Sequence, residues 1–259
     1  MSDPFEISPS PLRSGILVAQ RQYDLQDDIM PTSSRDRILN KLREARRPFE
    51  DAPPRPAAYM PVTQLTDTSP DALLEKFTEM LVGLSGEVYV VEGDQAACDK
   101  VLELLASHEA THILAWDFAH IPINGLDVAI RDAGIEITQP TLQDDSRPDV
   151  IAKIDGAQVG ITGVDAAIAT TGTLAVSTGP GRGRIPTVLP PVYIPIITLD
   201  QLVPNIEAWL ADERADGMTK MRDRANVAFI SGPSRTGDIE MELILGVHGP
   251  GVVQAVVKR

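Results

Sequence analysis

From Ser69 to Arg259 the chain alternates between helical and strand-like apolar spacing, and this alternation restricts its fold more than any other feature. SPDALLEKFTEMLVGL opens with a serine cap and a proline at the first helical position, then repeats apolar residues at helical spacing. GEVYVVE is a short β-rich run, DQAACDKVLELLASH a second helix, THILAW a second strand, NGLDVAIRDAG a helix and GIEITQ a strand. Strands joined through helices pair in parallel, with the helices covering both faces of the sheet. The next segments, QVGITG, AIATTGTLAVST and TVLPPVYIPIIT, are dense in β-branched residues. After them the pattern predicts a helix over TLDQLVPNIEAWLADE, another around GMTKMRDRA, a strand NVAFIS, and a C-terminal pair, IEMELILGVHG and GVVQAVVKR. No fixed-period repeat is present, which argues against a solenoid. The expectation is an α/β domain over residues 62–259, with a mostly parallel sheet and flanking helices.

The N-terminal part reads differently. Residues 1–31 lack sustained periodicity and are expected to form a flexible arm, although SGILVAQ could add a strand or dock on a partner. An amphipathic helix follows, with Ser33 or Ser34 as cap, Ile38, Leu39 and Leu42 on one face, and Pro48 as its stop. Prolines 48, 53, 54, 56 and 61 then make an extended tether. A lone helix of this length is marginal in water, so residues 1–47 are expected to be mobile or to be held mainly by another subunit, with homo-oligomerisation through the arm as one outcome.

Composition narrows the function. No apolar run approaches the roughly 18 residues needed to cross a bilayer, and the acidic, Pro/Ser-rich start is unlike a signal peptide, so a cytoplasmic protein without membrane insertion is expected. The chain carries 37 acidic against 23 basic side chains, a net −14. Charges of the two signs balance within the first sixty residues, so the whole excess falls on the remainder. Such a surface repels phosphate backbones, and no basic run is interleaved with aromatics, which argues against nucleic acid and anionic membranes. A single cysteine, Cys98, on an expected helix face, can form neither an intrachain disulfide nor a thiolate-ligated iron–sulfur cluster. His108, His112 and His120 lack acids at useful spacing, so no metal set emerges.

Three Gly/Ser/Thr-rich loops hold the candidate chemistry. In residues 160–184, Thr170, Thr171, Gly172 and Thr173 interrupt two β-like runs, and a glycine there would let backbone N–H groups and hydroxyls approach an anion; a hairpin turn without ligand reads equally well. The same stretch ends in PGRGR, where Arg182 and Arg184 could pair with carboxylate or phosphate oxygens, or simply be solvated. In residues 229–240, FISGPSRTGDIE places Ser231, Gly232, Ser234, Arg235 and Thr236 after a strand, as an anion site at the carboxyl end of a parallel strand requires. Asp238 and Glu240 would share one face of the following strand as acid or base, or as ion-pair partners of Arg235. In residues 245–251, His248 lies in a tight turn, suited to proton transfer or to capping that turn. The three loops are expected to meet in one site beyond the carboxyl ends of the strands.

AIATTGTL, the Leu-Pro-Pro before a β run, FISGPSRTGDIE and GVHGP, in this order, resemble the signature of the LUD domain family over roughly residues 33–259. The resemblance implies a fold similar to the phosphosugar-isomerase and CoA-transferase superfamily. It also implies a role beside two iron–sulfur partner proteins that oxidise L-lactate to pyruvate, with clusters on the partners and no cofactor bound by this chain alone. Two positions depart from the family pattern: Thr170 stands where glutamate is usual, and Tyr193 where histidine is usual. Three functions remain open at this point. One is a non-redox subunit whose loops hold a small carboxylate or phosphate. The second is an independent isomerase or acyl-CoA transferase, with Asp238 or Glu240 as base or nucleophile and Arg235 as clamp. The third is a ligand-binding scaffold without turnover.

Overall fold

The structure is a computed structural model that describes residues 33–45, 64–140, 147–237 and 243–259. The arm before Ser33 and the proline-rich tether lie outside the described residues, as do Asp238 and Glu240. The chain divides into two units, Met1–Tyr59 and Met60–Arg259. In the first, helix α1 (Ser34–Ala45) opens with a reciprocal cap: Ser33 Oγ accepts from the Asp36 N–H at 3.2 Å, and the Asp36 carboxylate accepts from the Ser33 N–H at 3.3 Å.

In the second unit, helix α2 (Pro70–Gly83) starts where Ser69 Oγ accepts from the Ala72 N–H and Pro70 supplies a pre-set φ. Its buried face is Leu73, Leu74, Phe77 and Leu81, and α3 (Gly93–Ser107) buries Ala97, Cys98, Val101, Leu104 and Leu105. Six strands form a wholly parallel sheet: β1 (Glu87–Val91), β2 (His112–Ala115), β3 (Glu136–Thr138), β4 (Val159–Thr162), β7 (Val192–Thr198) and β12 (Val252–Lys258). Their order is β1-β12-β7-β4-β2-β3. β4 and β7 are buried along their length, as apolar runs in the middle of a covered parallel sheet should be. The β7–β12 register breaks between Tyr193 and Ile196, where Pro195 has no N–H to donate.

A second sheet contains β5 (Ala166–Ile168), β6 (Thr173–Thr178), β8 (Leu202–Val203) and β9 (Asn226–Ile230), in the order β8-β5-β6-β9. Here β5–β6 and β6–β9 pair antiparallel. A hairpin of β10 (Arg235–Gly237) and β11 (Leu243–Leu245) stands apart from both sheets. Helices α4 (Leu126–Asp132), α5 (Arg147–Ile154), α6 (Ile206–Ala215) and α7 (Thr219–Arg222) complete the fold. Helix α2 packs on both β1 and β8 and so joins the sheets, with Phe77 and Leu81 fully buried. Burying each such side chain contributes about 1.5–3 kcal/mol.

The parallel α/β expectation holds, with three local corrections. TLDQLVPNIEAWLADE is not one helix: Thr198 and Gln201 cap a single 3-10 turn, Leu202–Val203 pair with Ala167–Ile168, and α6 begins only after Pro204, with Asn205 as cap. NVAFIS forms a strand, but an antiparallel one in the second sheet. PDVIAKI forms most of α5, which periodicity did not announce. No helix among the described residues is long and apolar enough to cross a membrane.

Candidate functional site

Three backbone bonds gather the loops. The Ser234 N–H donates to the Pro250 carbonyl at 2.8 Å, the Gly246 N–H to the Ser234 carbonyl at 3.0 Å, and the Gly251 N–H to the Pro191 carbonyl at 2.9 Å. The second and third loops and the Leu-Pro-Pro turn therefore form one body. Between them lies a cavity of about 300 Å³, whose polar lining includes Arg184, Ser231, Ser234 and His248 and whose apolar lining includes Val188 and Phe229. It sits against the first residues of β7 and β12, the amino ends of two parallel strands. The expected position beyond carboxyl ends is corrected for two reasons. β9 is antiparallel and outside the main sheet, and the loop carrying His248 precedes β12.

Arg184 caps the 3-10 turn Ile185–Thr187 and makes no ion pair among the described residues, so its charge is available to an incoming anion. Tyr193 is wholly buried. Thr162 Oγ1 spends its proton on the Gly163 carbonyl at 2.7 Å, so the Tyr193 hydroxyl donates to Thr162 Oγ1, also at 2.7 Å. Burial pushes the Tyr193 phenol far above its ordinary range, which makes it a neutral wall facing the core and removes it as a base.

The first loop lies next door. Thr171–Gly172 turn the β5–β6 hairpin; Thr171 Oγ1 donates to Thr173 Oγ1 at 2.7 Å, and Thr173 Oγ1 bonds Ser231 Oγ at 2.7 Å. A cavity of about 440 Å³ is lined by Thr170, Thr171 and Thr173 and shares Ser231 and Phe229 with the first one. The three loops thus meet as two adjoining cavities. Thr170 and Tyr193, the two departures from the family pattern, are lining residues of different ones.

Several expected ligand residues are engaged by the protein itself. Gly172 has φ +60°, and a Cβ there would stand 2.6 Å from the Leu81 backbone nitrogen. Gly232, at φ +75°, would place one 2.9 Å from the Leu84 carbonyl oxygen. The Arg235 guanidinium donates to that same carbonyl and, at 3.2 Å, to Ser85 Oγ. All three residues hold the C-terminal end of α2, where unpaired carbonyls favour a cation. Arg182 turns away from Arg184: its Nη1 pairs with Asp165 at 3.0 Å and its guanidinium lies 5.5 Å from the centre of the Trp116 ring. It lines a separate cavity of about 450 Å³ with Asp117 and Gln139. Thr236 is a half-buried β10 residue opposite Ile244. The sequence reading missed Asp165 and the α6 N-terminus; Pro204-Asn205 before an apolar run was the available signal for the latter.

A parallel α/β sheet with a smaller mixed sheet beside it, and two adjoining cavities that share Phe229 and Ser231, defines the class. The chain belongs to the LUD domain family, whose model matches residues 74–257. Lactate utilization protein C of Exiguobacterium sp. is 32% identical over 235 residues, covering 87% of this chain and 96% of that one. The protein of the same name from Halalkalibacterium halodurans is 30% identical over 188 residues, covering 72% and 79%. Among solved structures, a DUF162 family protein from Deinococcus radiodurans shares the fold, with a TM-score of 0.51 at 18% identity, over 74% of this chain and all of that one.

Proposed function

We propose that this chain is a lactate-utilisation protein, a non-redox subunit that holds a small carboxylate such as L-lactate or pyruvate while iron–sulfur partner subunits carry the electrons. The observation that carries the reading is the convergence of Arg184, Ser231, Ser234 and His248 on one cavity of about 300 Å³. A guanidinium and two hydroxyls suit a carboxylate, and an imidazole beside them suits the proton of an α-hydroxyl. The names of the relatives support the same substrate class. Oxidation of lactate to pyruvate releases two electrons and two protons. This chain would bind the acid and accept the hydroxyl proton at His248, while the Cα proton would pass to water and the two electrons to the partner subunits. A single thiol is too few for a thiolate-ligated cluster, which supports placing the electron carriers on partners.

Calorimetry with L-lactate, pyruvate and inorganic phosphate, on the native chain and on Arg184→Gln, tests the site. Losing one charge-assisted bond of about 1.5 kcal/mol in a part-open cavity should weaken the carboxylates about tenfold. Co-elution with a Cys-rich and a ferredoxin-like protein tests the assembly. Absence of carboxylate binding to the native chain, or binding indifferent to Arg184→Gln, overturns the site; elution without such partners overturns the subunit role.

A further inference from the structure

The larger cavity, of about 440 Å³, has features that the smaller one lacks. Helix α6, ten residues long, points its N-terminus into it. The Asn205 side chain takes the Ala208 N–H at 2.9 Å and the Asn205 carbonyl takes that of Trp209, which leaves the Ile206 and Glu207 N–H groups without acceptors among the described residues. Two such donors at the positive end of a helix dipole favour an anion. An independent observation points the same way. Thr170 is only 7% exposed, lines this cavity, and its hydroxyl has no hydrogen-bond partner among the described residues. The Thr170 oxygen itself stays accessible, so its hydroxyl is free to donate to an occupant of the cavity. Ser231 adds to the polar side of the cavity, its Oγ sharing a hydrogen bond with Thr173 Oγ1 at 2.7 Å.

The rest of the wall is apolar. Ile168, Ile206 and Phe229 line it, and Ile206 and Phe229 remain 38% and 47% exposed, an unfavourable state that an apolar occupant would relieve. The space exceeds what a three-carbon acid fills and falls within the range of sites for larger small molecules. Glu207 stands exposed at the same cavity and sets the charge: a dianion would be repelled more than a monoanion.

We propose that this cavity is a second binding site, for a monocarboxylate with an apolar body, whose carboxylate meets Thr170 and the α6 N-terminus while its hydrocarbon part covers Ile206 and Phe229. The site is separate from the one assigned to lactate, although the two touch at Ser231 and Phe229.

The test uses hexanoate as probe, with hexanol as its uncharged counterpart and hexyl phosphate as the dianion, each titrated calorimetrically into the full chain. Hexanoate should bind more tightly than both. Thr170→Val keeps the shape and removes the hydroxyl, and should weaken hexanoate roughly three- to tenfold while leaving L-lactate affinity unchanged. Thr170→Glu places a carboxylate in the anion position and should abolish hexanoate binding. Arg184→Gln should leave hexanoate untouched, so failure at the lactate site does not carry over to this one. Melting temperatures of the variants confirm that each is folded. No hexanoate binding at millimolar concentration, equal binding of hexanol, or hexanoate affinity unchanged in a folded Thr170→Val overturns the proposal.

Discussion

Gly172→Ala separates two reasons for a glycine in the Thr-Thr-Gly-Thr turn: closeness to a ligand, or closeness to the protein itself. The structure favours the second. A non-glycine residue at φ +60° costs about 1–2 kcal/mol. The new methyl would also stand 2.6 Å from the Leu81 nitrogen, 2.8 Å from the Met80 carbonyl carbon and 2.9 Å from the Leu81 Cα. These are helix backbone atoms, so relief requires α2 to shift from the β5–β6 turn, an overpacking cost of about 1–3 kcal/mol. The sum is about 2–5 kcal/mol, and at about 2–4 °C per kcal/mol for a domain of this size the melting temperature should fall by about 4–20 °C. Gly83→Ala is the control. That residue ends α2, an added methyl there would meet nothing within 4 Å, and alanine should be neutral or slightly stabilising. Differential scanning calorimetry on the three proteins measures the difference. A Gly172→Ala variant that melts with the native chain would refute the packing argument, and loss of ligand binding in that stable variant would restore the ligand-approach reading.

Three further outcomes follow from named contacts. Arg235→Lys should lower the melting temperature by an amount equivalent to about 0.3–1 kcal/mol, because the fork on the Leu84 carbonyl and Ser85 is lost, while L-lactate affinity stays the same; a calorimetric loss of affinity at constant stability would return Arg235 to the ligand site. Asp165→Asn leaves the charge of Arg182, whose Nε and Nη2 already lack partners among the described residues, without its carboxylate and should cost about 3–5 kcal/mol by urea unfolding; adding Arg182→Leu should recover part of it, and no recovery would contradict the ion-pair account. The Tyr89 phenol is pushed up to about 12 from 10.0, first by its hydrogen bond to the Glu87 carboxylate, then by burial and by the negative charge of Glu87. Because the folded state holds this proton more tightly, its stabilisation is complete below pH 10 and is lost as pH rises toward 12; Glu87→Ala should bring phenolate absorbance in earlier, and an unchanged titration would refute the assignment.

Local patterning determined the parts of this protein that depend on one segment at a time. Ser69-Pro70 before an apolar repeat marks the start of α2, and the apolar runs VGIT and VYIPIIT mark strands buried on both faces, because helix capping and burial period are written in neighbouring residues. The alternation of these segments was enough for a parallel α/β sheet. The same logic found the three loops, since glycines, serines and threonines gather where backbone donors are left free.

What each loop residue does was decided by contacts far away in sequence. Arg235 looked like a clamp for an anion, yet its guanidinium rests on Leu84 and Ser85, about 150 positions earlier. Gly172 and Gly232 serve the same helix end. Arg182 and Arg184 are two residues apart, but Asp165 and Trp116 hold one inward and the other stays on the cavity. β9 had the composition of a parallel strand and pairs antiparallel with β6. Sequence period reports which face of a segment is apolar. It carries no information on which partner covers that face or on where a long side chain finds its acceptor, and those choices are made only when the two sheets close over α2.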